Sequence, residues 1–305
     1  MLSIPQHIVV LQKVVVNFWR ITSSDFATFV IPNTVFGVAC ALASDPPLVA
    51  VQDSSKQAIF CRIPAVVFFN YSNLLVFNLA NQRLWEASQE DKANKPWRPV
   101  PSGRMTQTDI RQAMQIIIPA ILAANHYLLR AGAETACILT GTWVYNDLKA
   151  SEDGMLLRNA IVALAFGTYN WTSVKVAIGG GGDSPAAITN AGFSWVLMNA
   201  AVIFTTVHMQ DLPDVAGDRT RGRRTIPLLL GQLVARWSLA VLIFLWGPVY
   251  TMFWGKILTG IPAISLGTYV AWRVLRHRDS PVDDRWTWQL WCTWTAALSL
   301  LPLGF

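Results

Sequence analysis

The sequence predicts an all-α integral membrane protein, a bundle of about nine transmembrane helices forming a single domain over residues 1–305. Three observations carry this reading. Of the 305 residues, 53% are hydrophobic and only 14% are charged, well below the quarter of charged residues usual in soluble domains. Several apolar stretches reach about 18 residues, enough to cross roughly 30 Å of hydrocarbon at 1.5 Å per helical residue. Runs such as VLMNAAVIFTTV lack the alternation of a barrel strand, and backbone in lipid must satisfy its own polar groups, which leaves helices.

In order, the apolar spans are 26–44, 58–80, 109–129, 132–148, 159–178, 190–209, 230–252, 255–273 and 286–304. Residues 1–25 lack the basic start, apolar run and small-residue cleavage site of a signal peptide; they read as an amphipathic segment on the cytosolic surface. The longest stretch between spans, about 81–108, is too short to bury a core of its own. The Gly179–Gly182 run and the DSPAAIT that follows read as a flexible outer loop. Cys40, Cys61, Cys137 and Cys292 fall within or beside spans without CxxC spacing, so they read as packing residues rather than disulfides or zinc ligands.

The net charge of +6 raises the question of nucleic acid, and the placement of the charges answers it. With the N-terminus inside, eighteen of the 24 Lys and Arg fall on the inner side of the spans and four, Lys56, Arg62, Arg130 and Lys256, on the outer side. The positive-inside rule therefore places the N-terminus in the cytosol and leaves no call for a nucleic-acid partner.

Two acidic clusters then lie on that cytosolic side. The first is NLANQRLWEASQEDKANKPWRPVPSGRM, residues 78–105. If the second span continues as a helix, Asn78, Gln82, Glu86 and Glu90 share one face, with Asp91 beside them. The second is HMQDLPDVAGDRTRGRRTIP, residues 208–227, in which Asp211, Asp214 and Asp218 fall on one helical face and Pro213 introduces a kink. Carboxylates at membrane-helix ends are site candidates by default. Magnesium is a hard octahedral cation that takes one or two carboxylates and completes its shell with water and phosphate oxygens. Facing carboxylate columns flanked by Lys92, Lys95, Arg98, Arg219, Arg223 and Arg224 thus suit Mg2+ and a diphosphate leaving group. Lesser candidates are Tyr145, Asn146 and Asp147 at the inner end of the fourth span, and His208 one turn before Asp211. Tyr169 and Asn170 should face the bundle interior, and Lys175 should snorkel outward. Trp272, Trp286, Trp288 and Trp291 suit an interfacial belt, leaving Trp85, Trp143, Trp171 and Trp195 as candidates for a cavity wall. A transporter would more naturally hold its charges near the midplane.

These residues resemble the UbiA superfamily of intramembrane prenyltransferases over most of the chain. The resemblance rests on NKPWRPVPSGR (94–104) and DLPDVAGDRTRGRRTIPLLLG (211–231). Asn81-Gln82 stands where the family has Asn-Asp, and Glu90-Asp91 precedes the KPxRP segment with two extra residues. This variant is similar to fungal secondary-metabolism members, some of which are membrane terpene cyclases. The resemblance implies nine helices and a cytosolic cavity in which Mg2+ on Asp211, Asp214, Asp218, Glu90, Asp91 and Glu86 draws diphosphate from an isoprenyl diphosphate, farnesyl favoured. Prenyl transfer to an aromatic or polyketide acceptor is the first expectation, and cyclisation to a sesquiterpene the alternative. An endoplasmic reticulum location is also implied by resemblance.

Overall fold

The structure is a computed structural model that describes residues 6–50, 55–179, 188–277 and 280–304. Residues 1–5, most of the glycine-rich outer loop, and Arg278 among the inner basic residues lie outside the described residues. Among the described residues the regular structure is helical, apart from isolated bridges Ser44 to Pro47 and Val49 to Ile188. The helices are α1 (Gln6–Leu42), α2 (Lys56–Cys61), α3 (Ile63–Gln82), α4 (Trp85–Asn94), α5 (Gln107–Leu129), α6 (Gly132–Asn146) and α7 (Ala150–Asp153). They continue as α8 (Met155–Ala177), α9 (Asn190–Thr206), α10 (Val215–Arg221), α11 (Ile226–Leu229), α12 (Gln232–Trp254), α13 (Ile257–Arg276) and α14 (Pro281–Leu298).

Helix starts follow local chemistry. Thr106 and Asp109 form a reciprocal capping box at α5, and Thr189 and Ser280 cap α9 and α14 through their hydroxyls. Six helical stretches are long and apolar enough to cross a membrane: 12–42, 56–82, 107–129, 190–211, 232–254 and 257–276. Helices also stand at the other three anticipated spans, as α6 with only 15 residues, α8 and α14. The outside of the bundle is greasy, with Leu128, Met252 and Leu258 at least 75% exposed, as befits helices that face lipid rather than water.

Two of the anticipated helices are interrupted where they matter for function. The chain leaves α3 after Gln82, Leu84 takes extended backbone, and α4 starts afresh at Trp85. The proposed column Asn78, Gln82, Glu86, Glu90 is therefore split between two helices with different directions. Likewise α9 tightens into a 3-10 turn over Val207–Asp211, the chain turns through Leu212–Asp214 around Pro213, and α10 begins at Val215. Proline lacks the N–H that would continue the helix. Both breaks let α4 and α10 lie against one another across the end of the bundle. Asn94 locks them: its Nδ2 donates to the Asp214 carbonyl (3.0 Å) and its Oδ1 accepts from the Gly217 N–H (3.0 Å). A Cβ at Gly217 would sit 2.3 Å from the Asn94 side chain, so this contact requires glycine.

Candidate active site

Beneath the α4–α10 cap lie two adjoining cavities. The polar one, about 70 Å³, is lined by Asp25, Phe29, Phe77, Asn78, Asn81, Glu90, Lys95, Arg98, Tyr145, Arg158, Val162, Gln210, Asp214, Asp218 and Arg223. The apolar one, about 500 Å³, is walled by α1, α3, α6 and α8 and includes Leu74, Ile138, Val144, Ala165 and Tyr169. Phe29, Phe77, Tyr145 and Val162 line both, so the two are a charged mouth and a greasy chamber of one site.

Ion pairs organise the mouth. Arg98, buried to 1% exposure, donates to both Asp91 oxygens (3.2 and 3.0 Å), to Asp25 Oδ2 (2.7 Å), to Ser24 Oγ (3.0 Å) and to Asn78 Oδ1 (3.4 Å). Arg158 grips Asp211 through both nitrogens (3.0 and 2.7 Å). Lys95 holds Asp214 at 3.0 Å. Glu90 Oε2 accepts from Arg221 (2.9 Å) and Arg223 (3.1 Å). Burial works to raise the Glu90 pKa, but Arg223, Arg221 and Lys95 outweigh it, so the group stays a carboxylate. Asp218 is the most loosely paired of these carboxylates. Its Oδ1 lies 3.7 Å from Arg223 Nε and its Oδ2 has no hydrogen-bond partner. Burial, with Asp211 and Glu90 close by, pushes its pKa up to about 8 despite Arg223.

The residues named from sequence separate into two groups. Asn78, Asn81, Glu90, Lys95, Arg98, Tyr145, Asp214, Asp218 and Arg223 line the mouth, while Asp211 and Asp91 stand directly behind it on Arg158 and Arg98. The others lie elsewhere. Glu86, on the outer face of α4, pairs with Lys149 in water, and Lys92 reaches Gln89 and the Trp85 ring. Gln82 Oε1 accepts from the Val100 N–H. Asp147 pairs with Arg83, and His208 is buried against Ser238. Arg219 faces a separate surface pocket beside Leu233 and Pro281, because on α10 the helical phase that turns Asp218 inward turns Arg219 out. Asn146 is buried, its Nδ2 returning to the Thr142 carbonyl. Tyr169 and Asn170 are buried as anticipated, but Lys175 pairs with Glu134 instead of reaching outward freely. The chamber's aromatic wall is Phe29, Phe77, Tyr145 and Tyr169 rather than tryptophan. Trp85 and Trp143 are on the exterior, Trp171 packs on Phe193, and Trp195 is enclosed by Phe36, Tyr250 and Trp254. All four cysteines are free, but Cys61 and Cys137 are exposed rather than packed.

Asp25 and Arg158 were not among the residues named for the site. Each is a charge at the start of an apolar span, which is itself a signal for a functional position.

Whether the mouth suits a hard divalent ion can be tested on its donors. Asp218 offers a buried, unpartnered carboxylate oxygen, and Asp214, Glu90, Asn78 and Asn81 add oxygens around the same small cavity. Such an all-oxygen set fits Mg2+. Among the described residues no three acidic, His or Cys side chains stand close enough together to hold an ion by themselves, so an ion here would need water or ligand oxygens as well.

A helical membrane bundle with a charged mouth over an apolar chamber is the architecture of an enzyme that handles amphiphilic substrates. The comparisons define it further: the chain belongs to the UbiA prenyltransferase family, whose pattern it matches over residues 30–295. It is 31% identical over 247 residues to the fumagillin beta-trans-bergamotene synthase af520 of Aspergillus fumigatus, covering 77% of this chain and 78% of that one. The diterpene cyclase eriG of Hericium erinaceus is 28% identical, covering 88% of this chain and 80% of that one, and the polyprenyl transferase eriF of the same fungus is 25% identical, covering 88% and 87%. Among solved structures, a UbiA homologue from Archaeoglobus fulgidus bound to GPP and Mg2+ superimposes with a TM-score of 0.64 at 12% identity, covering 94% of this chain and 99% of that one. The protein is thus a multi-pass membrane enzyme of the prenyltransferase or terpene cyclase type.

Proposed function

We propose that the protein is a Mg2+-dependent membrane terpene cyclase that ionises an isoprenyl diphosphate, farnesyl diphosphate first among candidates, and closes the resulting cation on itself. The observation that carries this reading is the continuity of mouth and chamber through Phe29, Phe77, Tyr145 and Val162. A diphosphate fits the first, and its isoprenoid chain fits the second.

Lys95, Arg98, Arg158 and Arg223 supply the positive lining for the diphosphate. Asp218 and Asp214, with Glu90, Asn78 and Asn81, would hold the divalent ion, whose positive charge would offset the charge that develops on the departing diphosphate. In the chamber, the Thr140 and Thr168 hydroxyls donate back to the Ala136 and Leu164 carbonyls of their own helices. The substrate side of the wall is thereby mostly carbon and ring faces, which exclude water and attract a cation through their quadrupoles. That lining favours cyclisation over the transfer to a phenolic acceptor anticipated first, because seating a phenol calls for polar partners in the chamber. The cyclases among the relatives support the same choice. The charge distribution supports a cytosolic N-terminus and mouth, and the resemblance to fungal members of the family is what supports an endoplasmic reticulum location.

Membranes carrying the protein, given Mg2+ and farnesyl diphosphate without acceptor, should yield a hydrocarbon or terpene alcohol by mass spectrometry that is absent with Asp218→Ala. Diphosphate release with product only on addition of a phenol would make the enzyme a transferase instead.

A further inference from the structure

Lys95, Arg223 and Arg221 all tie the two acidic segments together, and of these Arg221 reaches the most partners. Its side chain is only 1% exposed, yet it does not line the mouth. From α10 its Nη1 donates to Glu90 Oε2 on α4 (2.9 Å) and to Asn81 Oδ1 at the end of α3 (3.2 Å), while Nε donates to Glu152 Oε1 on α7 (2.8 Å). One guanidinium thus gathers three elements far apart in sequence. It also fills, from behind, two of the oxygen donors that face the mouth.

We propose that Arg221 is a positioning residue that couples ion and diphosphate binding, so that the two enter together rather than the ion alone. This rests on the function proposed above. In the substrate-free site the guanidinium satisfies Glu90 and Asn81 and competes with a free divalent cation for them. A diphosphate in the mouth brings its own negative oxygens, offers Arg223 an alternative partner to Glu90, and adds ligands for the ion. Arg223 then releases its share of Glu90, Arg221 competes alone, and the ion is held. Glu152, which lies outside the mouth, sets the strength of the latch because it shares Arg221 with Glu90. Opposite charges at such distances in a buried setting interact strongly enough for these exchanges to control affinity.

The test measures Mn2+ binding by electron paramagnetic resonance in purified protein, with and without inorganic pyrophosphate. Pyrophosphate should tighten Mn2+ binding at least about tenfold in the unaltered protein. In Arg221→Gln, Mn2+ alone should bind more tightly and the tightening factor should fall, what remains of it being the ligands that pyrophosphate itself adds to the ion. In Glu152→Gln the opposite is expected: Arg221 is left to Glu90, Mn2+ alone binds more weakly, and the factor rises. A general loss of packing would weaken binding in both variants, so the opposed signs separate coupling from structural damage. The same factor in Arg221→Gln as in the unaltered protein, or a shift of the same sign in both variants, overturns the proposal. Absence of both Mn2+ and pyrophosphate binding in the unaltered protein would instead overturn the functional reading on which it rests.

Discussion

The two acidic segments look alike as sequence and differ in how their charge is compensated. On the first, Glu90 is held by two arginines, Asp91 by Arg98, and Glu86 by Lys149 in solvent. On the second, Asp211 and Asp214 each have a cation within 3.0 Å, whereas Asp218 is buried with Arg223 no nearer than 3.7 Å, one oxygen unpartnered and its proton affinity raised. A carboxylate closely paired within the protein gains less from a metal than a buried, loosely paired one. The contrast supports the proposal that Asp218 leads in ion binding and that the first segment assists.

This asymmetry can be broken or sharpened by experiment. Asp218→Asn keeps the shape but removes the charge, and should lower diphosphate release by about 10³-fold, at the upper end for loss of one electrostatic partner. Glu90→Gln, whose charge is shared with Arg221 and Arg223, should lower it by about 10²-fold; equal losses in the two variants would erase the distinction. Phe77→Ala, at the junction of mouth and chamber, should reduce turnover about tenfold while changing the product mixture seen by gas chromatography. Because burial pushes the Asp218 pKa up to about 8, an entering cation should displace a proton below that pH. Apparent Mn2+ affinity should therefore rise up to about tenfold per pH unit between pH 6 and 8 and level off above, and Asp218→Asn should flatten that profile. The smallest effect belongs to Glu86→Gln, which breaks only a solvent-exposed pair and should change kcat/KM by less than about twofold.

Much of the fold was legible because bilayer crossing is a local property: length and apolarity over about 20 residues suffice. The shared side of the two acidic segments was legible for the same reason. Which charges face inward was not, because it depends on helix breaks. An unbroken helix would keep Glu86 in register with Asn78, but the turn at Leu84 moves it to the surface and leaves Glu90 in the mouth. Similarly, Arg219 and Arg221 are equivalent as basic neighbours of a motif, but the phase of the seven-residue α10 buries only the latter.

By itself, then, the sequence determined a helical membrane protein with oxygen ligands and basic residues gathered at one end, since composition and hydropathy need no knowledge of partners. Only the tertiary structure decided that Asp25 and Arg158 join the mouth, that Tyr145 and Phe77 bridge it to the chamber, and that Arg221 binds three distant segments. Those facts depend on where helices remote in the chain meet, and therefore on long-range packing that no local pattern encodes.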